Sequence, residues 1–213
     1  MSDERAGSGT GDATGAGDTV RLTALSDGIF AIAMTLLVLD VRVPPGLDDA
    51  RFRDAVRDAL PDLGAYALSF VILAGFWRDH RRTMALVPRF EGAPLRLALV
   101  WLGAIAFLPF PTSLLSEYAS EPLAVAVYAG TVAVTNLLGL GVLLTGRSGP
   151  TGRGKAGAPV RAAVRTVTTD FWTTALVFGA SVPLAFAVRP VVAIWFWLAV
   201  VPLRALVRGS RRS

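Results

Sequence analysis

Six apolar blocks, each close to the length that crosses a bilayer, constrain this chain more than any other feature of its sequence. They lie at about 20–41, 62–79, 95–116, 122–145, 170–188 and 190–208. A helix needs about 20 mainly apolar residues to span a hydrocarbon core about 30 Å thick. Inside lipid every backbone amide must be satisfied within the structure, and single apolar runs of this length manage that as helices. The expected fold is an all-α membrane protein with six transmembrane helices per chain. Composition agrees: 53% of the 213 residues are hydrophobic and 17% are charged, against about a quarter charged in soluble domains.

The segments between the blocks differ in kind. Residues 1–19 are rich in Gly, Ser, Thr, Asp and Ala, hold one large apolar side chain at most, and are expected to form a disordered tail. No basic n-region or small-residue cleavage site marks them as a signal peptide. The membrane domain runs over 20–208 and is followed by a basic tail, 209–213. Within it, about 48–60 places Phe52, Val56 and Leu60 at i, i+4, i+8 among alternating charges, the pattern of an amphipathic surface helix. Pro109 and Pro111 remove amide donors near the end of the third block and should break it. A basic, Gly-rich linker at 146–160 divides four spans from two, and Arg189-Pro190 turns the fifth block into the sixth. The run from Gly149 to Lys155 is off register for a phosphate loop and follows no soluble strand.

Charge sets the expected orientation. With the N-terminus inside, all but five of the 21 Lys and Arg fall in cytoplasmic segments. The exceptions are Arg42, Arg51, Arg53, Arg57 and Arg189, and the first four share their loop with Asp48, Asp49, Asp54 and Asp58. The positive-inside bias therefore puts both termini in the cytoplasm. Basic residues that flank spans in this way form no stripe for nucleic acid. Without cysteine there is no thiol nucleophile or thiolate metal site. One histidine and no HExxH leave little from which to build an intramembrane enzyme, and no cofactor or resident metal is expected.

The first span carries the most information. On a helix at 100° per residue, Leu25, Gly28, Ile32, Thr35, Leu36 and Leu39 share a sector of roughly 100°, while Phe30, Met34, Leu37 and Val41 lie opposite. Two readings fit. One is ordinary packing, with Gly28 allowing a close crossing. The other is a pore face, in which aliphatic rings make a constriction that gates by dewetting and a hydroxyl ring replaces part of an ion's water shell. Asp27 is a further constraint, because an aspartate in a span costs about 3 kcal/mol on insertion scales and needs protein or water beside it. His80 ends the second span at the same membrane boundary, and a Ser26/Asp27–His80 contact would satisfy these groups.

These residues resemble a known family. Arg21, Leu25, Ser26, Asp27 and Gly28 match the R-x-x-x-F-S-D-G signature of the transmembrane protein 175 potassium channels, with Leu25 replacing the usual phenylalanine. Trp77 and His80 in "GFWRDHRR" match the family's Trp-x-x-His, and "FLPFPTSLL" continues the likeness in the third span. The resemblance implies a homotetramer whose pore is formed by the first helix of each subunit, without a TVGYG filter. Carried onto this chain, it implies a constriction at Ile32, Leu36 and Leu39 and a selectivity layer at Thr35. It further implies that Arg21, Ser26, Asp27, Gly28, Trp77 and His80 form a network that holds the pore helix. The expected function is a potassium-selective channel in a bacterial plasma membrane, with potassium as permeant ion and lipid and other copies of the chain as partners. The alternative is a proton-coupled transporter or proton-permeable channel that uses Asp27 and His80. Asp40 and the acidic 48–58 stretch either focus cations at the outer mouth or are balanced by their arginine neighbours.

Overall fold

The computed structural model describes residues 9–148, 157–187 and 197, and every element among them is helical. The helices in chain order are α1 (Gly9–Leu36), α2 (Asp49–Asp58), α3 (Leu60–Leu86), α4 (Ala93–Phe107), α5 (Pro109–Glu117), α6 (Pro122–Ser148) and α7 (Ala158–Ala187). Among the described residues five segments are long and apolar enough to cross a membrane: 19–39, 49–86, 93–117, 122–148 and 158–187. The expected sixth span, 190–208, lies outside the described residues except for Trp197, as does the middle of the Gly-rich linker.

Local chemistry explains the boundaries. Helix α1 tightens into a 3-10 turn at Leu37–Asp40. The chain then meets Pro44-Pro45 and turns at Gly46, whose φ of 78° suits a residue without Cβ. Asp48 caps α2 by accepting a 2.9 Å hydrogen bond from the Arg51 amide. Pro61 stands in the first turn of α3, where its missing N–H costs nothing. The third span breaks at Leu108 because Pro109 and Pro111 cannot donate, and α4 and α5 follow one another as two pieces of one crossing. Backbone helix begins at Gly9, inside the stretch 1–19 expected to be disordered. Once a long apolar helix exists, each further residue needs only one more hydrogen bond and no new nucleus. Likewise α6 continues to Ser148 and α7 starts at Ala158, so both spans reach into the linker expected at 146–160.

Helix α6 is the most enclosed span and packs chiefly against α7 and α4. Lipid tails are as apolar as leucine, so packing between spans depends on close approach and dispersion more than on hydrophobic burial. Gly139 supplies that approach. A Cβ there would sit 2.6 Å from Trp101 and 2.7 Å from Phe171, on α4 and α7. Gly146 makes the same kind of contact with Val87 at 2.5 Å. Beside it, Arg147 donates a 2.9 Å hydrogen bond to the Leu86 carbonyl and satisfies an orphan group at the end of α3.

Gly139→Ala should therefore cost about 1–3 kcal/mol by overpacking, whereas Gly130→Ala, with open space around it, should not. Melting of the two purified variants in detergent checks this, with the Gly139 variant expected to lose several degrees.

Candidate functional site

Helix α1 has two unlike sides. Phe30, Ala33 and Leu37 are each 1% exposed and packed in the core, while Ile32, Leu36 and Leu39 are 60%, 41% and 55% exposed. Thr35 is exposed beside them and donates its hydroxyl proton to the Ile32 carbonyl at 2.9 Å. Gly28 is also exposed, with nothing within 4 Å of where its Cβ would be, so it makes no close crossing among the described residues. The residues read opposite the candidate pore face thus turn to neighbouring helices: Phe30 and Leu37 are core and Met34 packs against it.

What holds this helix is one stretch of α3, "WRDHRR", residues 77–82. Successive side chains on a helix point about 100° apart, so six residues address several neighbours. Trp77 donates its indole N–H to Asp27 Oδ1 at 2.9 Å, and the Arg81 guanidinium lies 5.1 Å from the Trp77 ring centroid. One position on, Arg78 Nε stands 3.5 Å from Asp79. Arg82 lies between two carboxylates, 3.2 Å from Asp79 and 3.6 Å from Asp170 of α7. His80 faces inward, 1% exposed, with its ring centroid 5.5 Å from Phe30 of α1 and 5.0 Å from Trp101 of α4. Trp101 in turn meets Phe171 of α7 edge-on at 5.8 Å.

The expected Ser26/Asp27–His80 contact is not what forms. Ser26 is fully buried but donates to its own helix, to the Leu22 carbonyl at 2.7 Å. Asp27 takes the Trp77 N–H, and His80 is enclosed by aromatic rings. The reason is register: Trp77 and His80 are three residues apart, so the indole reaches the Asp27 side of α1 while the imidazole turns to the Phe30 side. Arg21 is exposed and makes no ion pair with Asp27. The Asp79–Arg82–Asp170 bridge was not anticipated. Its signal was available: Asp170 stands at the head of an apolar block, and an acid there needs a cation at matching depth.

Further toward α5, a second buried polar group joins three spans. Thr112 donates to Ser69 at 2.9 Å, and Ser69 is 2.9 Å from the Tyr128 hydroxyl. Tyr128 stacks on Trp197, whose indole N–H donates to Ser181 at 2.9 Å. On α2, Asp48–Arg51 at 3.7 Å and Asp54–Arg57 at 3.5 Å are exposed intrahelical pairs, which contribute little to stability. Among the described residues no cluster of His, Cys, Asp and Glu has the makings of a metal site.

A family model described as endosomal/lysosomal potassium channel TMEM175 matches residues 21–109, the segment that contains Asp27, Trp77, His80 and Trp101. Over this segment the chain resembles the TMEM175 family. A potassium channel of Streptomyces collinus is 37% identical over 113 residues, 51% of this chain and 55% of that one. Another, from Chamaesiphon minutus, is 37% identical over 118 residues, 53% and 58% of the two chains. The chain thus spans little more than half the length of these bacterial relatives. An endosomal/lysosomal proton channel TMEM175 of Danio rerio is 26% identical over 131 residues, 61% of this chain and 25% of that one. The fold extends further than the sequence likeness. The crystal structure of a lysosomal potassium-selective channel TMEM175 homolog from Chamaesiphon minutus superposes with a TM-score of 0.73 at 26% identity, covering 92% of this chain and 98% of that one. With five long apolar helices among its described residues, the chain is a multi-pass membrane protein similar in fold to this channel.

Trp77→Phe keeps the ring but removes the N–H, whereas Asp27→Asn keeps an oxygen acceptor. The first should cost about 1 kcal/mol and lower the melting temperature more than the second; equal losses would mean that the indole N–H is not what anchors α1. Asp170→Ala leaves Arg82 with Asp79 alone and should cost on the order of 3 kcal/mol, read by the same melt.

Proposed function

We propose that this chain is a subunit of a potassium-selective channel whose pore is lined by α1. The observation that carries the reading is the sidedness of that helix. A span whose aliphatic residues Ile32, Leu36 and Leu39 are left open while its other side is buried needs either lipid or further copies of itself against it. One such helix per chain cannot enclose a pore, so the reading requires a symmetric oligomer, and a homotetramer is proposed. Support also comes from the bacterial relatives, which are named potassium channels, and from the structural neighbour, described as potassium-selective.

In this reading Ile32, Leu36 and Leu39 form stacked aliphatic rings that expel water from a narrow pore. Thr35 lies between them. Its hydroxyl proton is committed to the Ile32 carbonyl, which leaves the remaining acceptor capacity of the oxygen for a partly dehydrated cation. Arg21, Ser26, Asp27, Gly28, Trp77 and His80 act as scaffold, with Trp77–Asp27 and His80–Phe30 as the two contacts that orient the helix. Potassium is the permeant ion and no cofactor is required. The site is the plasma membrane of a bacterium, with both termini cytoplasmic as the Lys and Arg distribution implies.

A second reading, proton permeation, is favoured by one observation: the animal relatives are named proton channels. In that case the exposed carboxylate of Asp27 is the group a proton would meet first. The reversal potential of the reconstituted protein in a planar bilayer, potassium opposite sodium, separates the two. Reversal near the potassium equilibrium value, independent of a pH gradient, is expected. Reversal that follows the imposed pH gradient would overturn the potassium reading.

Ile32→Asn or Leu36→Asn should raise the current severalfold by wetting the constriction, and unchanged current in intact oligomers would remove these residues from the pore. Thr35→Val should lower potassium over sodium selectivity while leaving the melting temperature within a few degrees of the parent.

A further inference from the structure

The signature network accounts for His80 as a ring that touches Phe30, but two polar atoms beside it are left over. His80 Nε2 and Trp101 Nε1 are both buried, and neither has a hydrogen-bond partner among the described residues. Their rings are adjacent, with centroids 5.0 Å apart and planes inclined at 41°. The Trp101 side chain is 0% exposed and that of His80 is 1%, so bulk water does not serve either nitrogen.

A buried polar group without a partner is costly, and two in contact are rarely independent. Their chemistry is complementary. An indole nitrogen can only donate, and a neutral imidazole has one nitrogen that donates and one that accepts. We infer that Trp101 is a positioning residue for His80: its indole N–H is the donor to Nε2 after a small ring rotation. The imidazole is thereby held as the tautomer with its proton on Nδ1.

A proton relay through imidazole takes up a proton on one nitrogen and releases it from the other. With Nε2 engaged by an indole N–H, which can donate but cannot take up a proton, that exchange has no onward path toward α4. His80 then serves as a wedge of fixed orientation between the pore helix and Trp101. Gly139 and Phe171 confine the far side of the indole, so the geometry is set by α6 and α7 as well.

The chain contains a single histidine, so incorporation of 15N-histidine gives one pair of ring nitrogen signals without further assignment. Solid-state NMR of the full-length protein in lipid at about pH 8, above the pKa of an ordinary imidazole near 6.5, reads the tautomer directly. The expected wild-type spectrum has a pyridine-type Nε2 and a pyrrole-type Nδ1. A pyrrole-type Nε2 would overturn the inference. Trp101→Phe should shift the Nε2 signal or mix the tautomers, and an unchanged spectrum would rule out Trp101 as the donor. Should that variant fail to fold, a through-space contact between an indole N–H proton and Nε2 in the wild-type protein answers the same question. Its absence would also overturn the inference.

Discussion

A single imidazole wedged between two aromatic rings is the contact on which the arrangement of spans depends. His80 joins Phe30 of α1 to Trp101 of α4, and Trp101 passes the contact to Phe171 of α7 and to the Cβ-free surface of Gly139 on α6. Four crossings therefore meet around one helix, α3, at one depth. In a bilayer this matters more than it would in water. Apolar side chains gain little by leaving lipid for one another, so interlocking shapes and buried polar contacts must supply the specificity.

The same stretch of α3 also divides its polar work by direction. Trp77 and Arg81, four residues apart, serve the α1 side through Asp27 and the indole ring. Arg78, Asp79 and Arg82 serve the α7 side, where two aspartates bracket one guanidinium. The charges offset one another locally, which is what allows so many of them to stand at the end of a membrane span. Held through Asp27 and Phe30, α1 has little freedom to roll, and its unfilled side with Ile32, Thr35, Leu36 and Leu39 faces away from the rest of the chain.

Much of this was legible in the chain itself. The spans follow from run length, the break at Leu108 from Pro109 and Pro111, and the two sides of α1 from a period of 3.6. The family resemblance rested on Arg21, Ser26, Asp27, Gly28, Trp77 and His80, and the family match covers the same region. Partners were less legible. Asp27 and His80 read as a pair because both are polar and both sit near one boundary. Yet Trp77 and His80 leave α3 in directions that differ by a fraction of a turn, and that fraction decides which of them reaches Asp27.

The sequence by itself determined that the chain crosses a membrane, that the third span breaks at Leu108, and which residues on α1 share a face. Those properties depend on local terms: apolar length, missing amide donors, and the angular period of the helix. Only the tertiary structure decided that Asp27 is held by Trp77, that Arg82 spans Asp79 and Asp170, and that Gly139 gives room for Trp101 beneath His80. Such contacts join residues tens of positions apart, and their geometry depends on helix rotation and separation. Those quantities are set by the packing of all the spans together and by no single segment.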